Sequence, residues 1–251
     1  MNYYRFISKC IISLLSCIIG LSSCGDKIPT NEIHYTTIDN SVLPFNFGEG
    51  RIVSNSYVPD KNVCILKLDK VVTEIEKRAF SRCSSLTSIS IPESVTEIGV
   101  DAFCACTSLT SITIPQSVTK IGKYAFDGCS SLTSISIPPS VTMIGSNAFR
   151  GCSSLTSITI PQSVTKIGWS AFSGCSSLTS ITIPQSVTKI GKYAFRGCSS
   201  LTSITIPPLV TEIGHSAFCG CSSLTEVRIP KGCHVDEFAF EDCPNVQIIR
   251  Y

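Results

Sequence analysis

Apolar and polar residues follow one another along most of this chain in a long block that is then repeated. The block that starts at Leu109 reads LTSITIPQSVTKIGKYAFDGCSS, and the next one starts at Leu132. One phenylalanine and one cysteine return at the same step in successive blocks. They are Phe80, Phe103, Phe126, Phe149, Phe172, Phe195 and Phe218, with Cys83, Cys106, Cys129, Cys152, Cys175, Cys198 and Cys221. A fixed period of this length predicts a solenoid of stacked coils.

The first part of each coil has the pattern of a β-strand. In residues 109–114 the apolar side chains face inward, so Ser111 and Thr113 face outward, because side chains alternate along a strand. Pro115 then ends the strand, since proline cannot donate a ladder hydrogen bond. Nine such strands are found between residues 63–68 and 246–251. They predict one parallel sheet along one face of the solenoid.

The rest of each coil predicts a short strand and a turn. Gly122 ends the short strand and is expected to take the positive φ of a turn. Residues 123–128 are expected to form one helical turn that turns two side chains toward the core. The predicted core positions of this coil are Leu109, Ile112, Ile114, Val118, Ile121, Ala125, Phe126 and Cys129.

Residues 1–23 do not follow the repeat and are typical of an export signal. Arg5 and Lys9 precede an apolar run at 10–21, which is shorter than the roughly 20 apolar residues that span a bilayer. Residues 21–25 read LSSCG, which resembles a bacterial lipobox. The resemblance implies cleavage before Cys24 and a lipid on its sulfur, and therefore a membrane anchor. An ordinary secretory signal or an uncleaved anchor is the alternative.

The remaining chain divides into a tether, two caps and the repeat array. Residues 24–30 are mostly polar and read as the tether behind the lipidated Cys24. Residues 31–62 predict an N-terminal cap, because the ends of a solenoid need covering; a small ligand-binding module is the alternative. The solenoid covers 63–251. Its C-terminal cap is predicted at about 225–251, where charged residues return and the last phenylalanine and cysteine of the repeat, Phe240 and Cys243, each come one position early.

Three motifs carry a family resemblance. The strand Leu-x-x-Ile-x-Ile, the segment Pro-x-Ser-Val-Thr-x-Ile-Gly and the turn Ala-Phe-x-Gly-Cys-Ser-Ser-Leu resemble the BspA-like, treponemal-type leucine-rich repeats of bacterial surface proteins. The match covers about residues 63–251 and lacks the asparagine that follows the strand in the familiar leucine-rich repeat.

The resemblance implies a curved right-handed solenoid on the bacterial surface, at the outer membrane. It also implies adhesion to a protein or glycoprotein ligand, with host matrix proteins among the candidates. It implies no catalytic residue and no cofactor.

Charge excludes one class of partner. Only 15% of the residues are charged, against about 25% in an average domain. The whole chain has 20 basic and 18 acidic side chains, and removal of residues 1–23 takes away Arg5 and Lys9, which leaves 18 of each. A balance of this kind gives no support for binding nucleic acid.

Twelve of the 15 cysteines remain once Cys10, Cys17 and Cys24 are set aside. Equivalent residues on stacked coils lie about 4.8 Å apart with parallel side chains, whereas a disulfide needs Cβ atoms about 3.8 Å apart. The recurring cysteines therefore predict a row of buried thiols that pack as small hydrophobes. A zinc site is a weaker alternative, and its spacings match no standard pattern. Its ligands would be His215, Cys219, Cys233 and His234.

Enzymatic chemistry is not predicted. The only imidazoles are those of His34, His215 and His234, so the serines of the array have no base with which to form a triad. A hydrolase with its site in residues 25–62 or in the caps is one alternative function. An envelope scaffold protein that binds periplasmic partners is another.

Two surfaces are candidates for binding a partner. The outward strand positions form a nearly uncharged row of hydroxyls, which could instead be only a solvated face of good β-formers. The turn positions form a ridge of aromatic residues beside a row of lysines, and such residues are favoured in protein contacts. The candidate residues are Ser111, Thr113, Ser157, Thr159, Ser180 and Thr182 on the strands, and Tyr124, Trp169, Tyr193, Lys120, Lys166 and Lys189 on the ridge.

Overall fold

The computed structural model describes residues 28–43 and 52–251, which build a β-solenoid with a single core along its length. The predicted fold class is confirmed: the coils of the array stack in parallel, and the described residues contain almost no helix. Their one helical segment is a 3₁₀ turn at Pro59–Lys61. The predicted signal at 1–23 and Cys24 lie outside the described residues.

Strands occupy two positions in each coil. The N-terminal strands are β1 (Glu32–Thr37), β2 (Ile52–Val58) and β3 (Val63–Leu68). The first position of the later coils holds β5 (Leu86–Ser90), β7 (Ser111–Thr113), β9 (Ser134–Ser136), β11 (Ser157–Thr159), β14 (Ser203–Thr205), β16 (Glu226–Ile229) and β18 (Gln247–Arg250). The second position holds β4 (Glu74–Ile75), β6 (Glu97–Ile98), β8 (Lys120–Ile121), β10 (Met143–Ile144), β12 (Lys166–Ile167), β13 (Lys189–Ile190), β15 (Glu212–Ile213) and β17 (His234–Val235).

The N-terminal part of the sheet differs from the prediction. β1 lies between β3 and β5 and is antiparallel to both, with Tyr35 opposite Cys64 on one side and Ile89 on the other. The expectation that β3 is the first strand of an uninterrupted parallel ladder is therefore wrong. β1 fits this place because Ile33, Tyr35 and Thr37 alternate toward the core, as a half-buried strand requires.

A buried polar network holds β1 to its surroundings. The Tyr35 hydroxyl donates to Asn55 Oδ1 at 2.7 Å and accepts the backbone N–H of Leu43 at 3.1 Å. Asn55 Nδ2 in turn donates to the carbonyl of Leu43 at 2.9 Å. Burial raises the pKa of Tyr35 to about 12, so this hydroxyl remains a donor at neutral pH.

The core consists of the positions that the sequence predicts. All eight predicted core residues of the coil at 109–131 are buried. The phenylalanines of successive coils form one stack from Phe80 to Phe240, with ring centroids 5.1–5.6 Å apart and nearly parallel planes. This stack runs the length of the array and joins each coil to the next.

The recurring cysteines line the core as free thiols, as predicted. They also donate their S–H groups to phenylalanine carbonyls of the preceding coil, for example Cys129 to Phe103 at 3.1 Å and Cys152 to Phe126 at 3.2 Å. Burial raises the pKa of Cys129 to about 12. The thiol therefore satisfies a carbonyl as well as filling space, a role that the sequence alone does not reveal.

Residues 123–128 do not form the expected helical turn. Tyr124 and Gly128 have left-handed φ values of 57° and 72°. Alternate N–H groups here point along the solenoid axis and bond the next coil: Tyr124 N–H to Ser146 O at 3.0 Å, and Phe126 N–H to Ala148 O at 2.8 Å. A helical turn would direct these donors within the coil, so bonding between coils replaces it.

Position 122 requires glycine, but for a different reason from the predicted one. Its φ is not positive, but a Cβ placed on it would lie 2.7 Å from backbone atoms of Gly99 in the preceding coil. The equivalent Gly145 would meet Lys123 N at 2.5 Å. Glycine is therefore needed at this position because two backbones approach closely.

The two strand ladders are each interrupted once, at different coils. The predicted strand at residues 180–182 is reduced to a bridge between Thr159 and Thr182, which separates a seven-stranded from a three-stranded sheet. The short strands divide between β10 and β12. At this second break the coils are further apart, since a Cβ on Gly168 would lie 3.4 Å from the nearest backbone atom.

Candidate binding surface

Hydroxyl side chains serve two different purposes in the array. One set bonds carbonyl groups of the preceding coil, as when Ser140 Oγ donates to Val118 O at 2.6 Å and Thr142 Oγ1 to Thr119 O at 3.4 Å. The serine bond is found again at the same position of other coils. This set therefore belongs to the scaffold, because it adds side-chain hydrogen bonds between one coil and the next.

The second set of hydroxyls forms the hydroxyl face. It is exposed, and within the described residues its oxygens bond no other protein atom. The parallel register aligns it in two columns, with Ser134 beside Ser157 and Ser136 beside Thr159. Its members are Ser111, Thr113, Ser134, Ser136, Ser157, Thr159, Ser180, Thr182, Ser203 and Thr205. All six predicted strand residues thus lie together on one surface.

Polar side chains of β1 and β3 border the hydroxyl face at its N-terminal end. Thr36 Oγ1 lies 2.7 Å from Ser88 Oγ, so β1 covers the first hydroxyls of the array. His34 Nε2 lies 3.2 Å from Glu32 Oε2, and Lys67 Nζ lies 3.8 Å from the other oxygen of that carboxylate. The surface is charged here and at its other end, where Glu226 and Arg228 lie opposite Ser203 and Thr205, whereas the hydroxyl face between them is uncharged.

The ridge places its three predicted aromatic residues differently. Trp169 is 56% exposed, whereas Tyr124 and Tyr193 are half-buried. The ring of Tyr193 meets His215 edge to face at 5.6 Å, and the guanidinium of Arg196 lies 5.7 Å from its centroid. Of these three aromatic residues, Trp169 is therefore the most available to a partner.

The predicted row of lysines is largely neutralised. Lys120 is paired with Glu97, and Lys189 Nζ lies 2.7 Å from Glu212 Oε2. The ammonium of Lys189 lowers the pKa of Glu212. Among the described residues, Lys166 is the member of this row that has no carboxylate partner. Each acid lies opposite its lysine on the neighbouring coil, one period away along the chain.

A further ion pair lies on this side. Arg150 bonds both carboxylate oxygens of Asp127 at 2.8 Å, and this contact raises the pKa of Arg150. Asp127 is nearly buried. The pair joins two adjacent coils and has the geometry of a structural contact.

The histidines do not assemble a reactive centre. His215 Nδ1 lies 3.1 Å from Asp236 Oδ1, and the pKa of Asp236 is lowered by the Phe238 N–H and by this imidazole. Within residues 28–43 and 52–251, no three His, Cys, Asp or Glu side chains converge in a way that could hold a metal ion. The same residues contain no apolar helix of the length that crosses a bilayer.

Three exposed residues of this side are not among the predicted binding residues. Met143 is 49% exposed beside Lys166, and Lys192 and Arg196 project from the next coil beyond Trp169. A usable signal exists in the sequence: the absence of acidic residues over several consecutive coils, which a count of the total charge hides.

Stacked coils, a phenylalanine stack and a regular outer strand row define a leucine-rich repeat solenoid of the bacterial type. The model of the BspA type leucine-rich repeat region matches six copies, at residues 51–176 and 120–247. The chain belongs to this family. A search of curated proteins finds no match.

Solved structures of similar proteins are bacterial leucine-rich repeat proteins. One is a Treponema pallidum leucine-rich repeat protein, 36% identical, with a TM-score of 0.58 over 62% of this chain and 73% of that one. A leucine-rich cell surface protein from Faecalibacterium prausnitzii is 33% identical, with a TM-score of 0.52 over 72% of this chain and 57% of that one. A third, from Bacteroides ovatus, is 25% identical, with a TM-score of 0.51 over 82% and 71%.

Proposed function

We propose that this chain is a non-enzymatic lipoprotein of the bacterial cell surface that binds a protein or glycoprotein, such as a host matrix protein, through its repeat surface. The hydroxyl face carries the proposal. Parallel strands hold its side chains in two aligned columns. These hydroxyls are exposed and form no hydrogen bond with another described residue. A rigid row of donors and acceptors suits an extended partner, because fixed groups lose little entropy on binding.

The family supports a role in recognition. Repeat solenoids present extended surfaces that other proteins bind, and one similar structure is named as a cell surface protein. We infer that the surface of the array acts by contact and carries out no chemistry.

Anchoring is proposed from the sequence at residues 21–25, LSSCG. Cys24 would carry the lipid, and 25–30 would separate the solenoid from the outer membrane. Several acyl chains on one cysteine would hold the protein firmly, since each buried methylene contributes about 0.8 kcal/mol.

Metabolic labelling with a palmitate analogue tests the anchor. The wild-type chain should incorporate the label and Cys24→Ser should not, whereas Cys17→Ser serves as the matched control and should label normally. Labelling of Cys24→Ser would refute the assignment of the lipid to this residue.

Binding is tested with a panel of immobilised host matrix glycoproteins and a chain that starts at Gly25, which keeps every described residue. Replacing Ser134, Ser157 and Ser180 by lysine should weaken capture without changing the fold, because these side chains are exposed. Unchanged capture by this triple variant would exclude the hydroxyl face as the binding surface.

A further inference from the structure

Charge is segregated along the solenoid, although the total is nearly balanced. Between Asp127 and Glu212 the sequence contains no acidic residue and five basic ones. The flanking segments are acidic: residues 97–127 carry three acids and two bases, and residues 212–251 carry six acids and three bases. The five basic residues of the central section are Arg150, Lys166, Lys189, Lys192 and Arg196.

The flanking acids neutralise only the edges of this central section. Arg150 is held by Asp127 on one side, and Lys189 by Glu212 on the other. Within the described part of the chain, Lys166 and Lys192 have no carboxylate partner, and both are exposed. Parallel pairing also sets Lys166 directly opposite Lys189, where like charges repel. The middle of the section therefore keeps an unneutralised positive charge.

Two exposed apolar side chains lie among these cations. Met143 and Trp169 are 49% and 56% exposed. Met143 is on β10, which neighbours β12 with Lys166. The Trp169 segment bonds Asn147 N–H on one side, and the Lys192 carbonyl accepts the Ser170 N–H at 2.9 Å on the other. We call this surface the basic patch; it consists of Met143, Lys166, Trp169, Lys189, Lys192 and Arg196.

The second break in the ladders falls inside the basic patch. Thr142 N–H bonds Thr119 O at 3.0 Å, and Gly145 N–H bonds Ile121 O at 2.9 Å. The equivalent N–H groups of Thr165 and Gly168 find no such carbonyl within the described residues. Two amide donors are therefore left beside Lys166, and they add to the preference of this surface for groups that accept hydrogen bonds.

We propose that the basic patch binds an acidic segment of a protein partner, with an apolar side chain of that segment against Met143 and Trp169 and its carboxylates near Lys166 and Lys192. The proposal rests on the function above, in which the solenoid recognises a protein. Residue types favour a polypeptide over a sulfated polysaccharide, because Met, Trp and Arg are enriched at protein interfaces and an exposed methionine favours apolar side chains.

The array provides its own matched control. Coils 109–131 and 178–200 are identical except for Asp127 in the first and Arg196 in the second. Lys123 and Lys192 thus occupy the same position in the same local sequence, and both are exposed. Their neighbours on adjoining coils differ: Lys192 lies next to the Trp169 coil, whereas Lys123 lies next to Val100 and Asp101 in the acidic segment.

The test selects binders for the chain starting at Gly25 from a random-peptide phage library at low salt. Selected peptides should be rich in Asp and Glu and contain at least one large apolar residue. The double variant Lys166→Glu/Lys192→Glu should bind them at least about tenfold more weakly, and Lys123→Glu should change the affinity less than about threefold. Trp169→Ala should weaken binding even at high salt, where charge contacts are screened.

Each other result decides against the proposal. Peptides that are not acidic, or that bind the double variant normally, would show that proteins are recognised on another surface and would leave the proposed function standing. A selection that enriches no peptide would refute the basic patch as a peptide site, and the capture experiment on matrix glycoproteins would still decide the proposed function. Binding of heparin that the same variants abolish, without peptide binding, would assign the basic patch to a polysaccharide. Matching circular dichroism spectra verify that the exposed substitutions leave the fold intact.

Discussion

Replacing Gly145 by alanine tests how closely the coils approach one another. A Cβ on this residue would lie 2.5 Å from Lys123 N, 2.6 Å from Gly122 C and 2.7 Å from Gly122 O. All three are backbone atoms, so no side chain can rotate away and the two coils must separate locally. The Gly145 N–H bond to Ile121 O, now 2.9 Å long, lies at the same contact and should lengthen. Overpacking of this kind costs about 1–3 kcal/mol.

Gly168 is the matched control, because it holds the same position in the next coil. There the nearest atom to an added Cβ is 3.4 Å away, which is ordinary contact. Alanine should be neutral at this position or stabilise by about 0.4–1 kcal/mol, since it restricts the unfolded chain. Gly128→Ala tests backbone conformation without close approach. The φ of +72° at Gly128 disfavours alanine, but an added Cβ would lie 3.7 Å from the nearest atom.

Urea unfolding followed by far-UV circular dichroism measures these effects. We expect the free energy of unfolding to fall for Gly145→Ala and to stay level or rise for Gly168→Ala, so that the two variants differ by about 2 kcal/mol. Equal unfolding midpoints for these two variants would refute the argument that close backbone approach selects glycine here.

Three further predictions concern the core and the cap. Phe149→Ala should lower the free energy of unfolding by about 3–5 kcal/mol, because this ring is fully buried between two stacked neighbours. The midpoint of thermal unfolding measures this loss. A decrease in midpoint no larger than that of Thr133→Ala would contradict the prediction. Tyr35→Phe should destabilise by about 1–3 kcal/mol, since Asn55 and the Leu43 N–H lose a buried partner; hydrogen exchange at Leu43 should quicken. The folded thiol of Cys129 has a raised pKa, so its stabilising effect is complete below the unfolded value of about 8.5 and is lost as pH rises above it. Cys129→Ala should therefore show a shallower fall of unfolding midpoint between neutral and alkaline pH than wild type, and identical slopes would count against this reasoning.

The repeat made most of the fold predictable. A constant period with fixed apolar positions determines which side chains face inward, and Leu109, Phe126 and Cys129 are all fully buried. Each coil buries the same positions, so the core assigned for one coil also applies to its neighbours.

The predictions of the fold were wrong in segments outside the repeat, and at repeat positions where a residue type has two possible explanations. β1 enters the sheet through pairings with β3 and β5, which lie far along the chain, and no local pattern specifies such partners. Gly122 could signal either a positive φ or a close approach, and only the second occurs. Tyr124 takes a left-handed φ that its residue type does not favour, because bonds to the next coil hold it there.

The candidate binding surface was predictable in position, whereas its charge pattern depends on how the coils stack. Alternation along the strands placed Ser157 and Thr159 outward, as observed. Which lysines stay unpaired depends on neighbouring coils: the identical positions Lys120 and Lys189 meet Glu97 and Glu212 from opposite sides, and Lys166 meets neither. Stacking order, and not local sequence, decides this pattern.

Protease treatment of intact cells tests the central claim most directly, because a surface lipoprotein must be reachable from outside. Trypsin added to intact bacteria should degrade the chain, with cleavage at exposed Lys166 and Lys192, while a periplasmic marker protein in the same cells survives. Protection of the chain in intact cells, with degradation only after lysis, would contradict a surface location and would favour a scaffold inside the envelope.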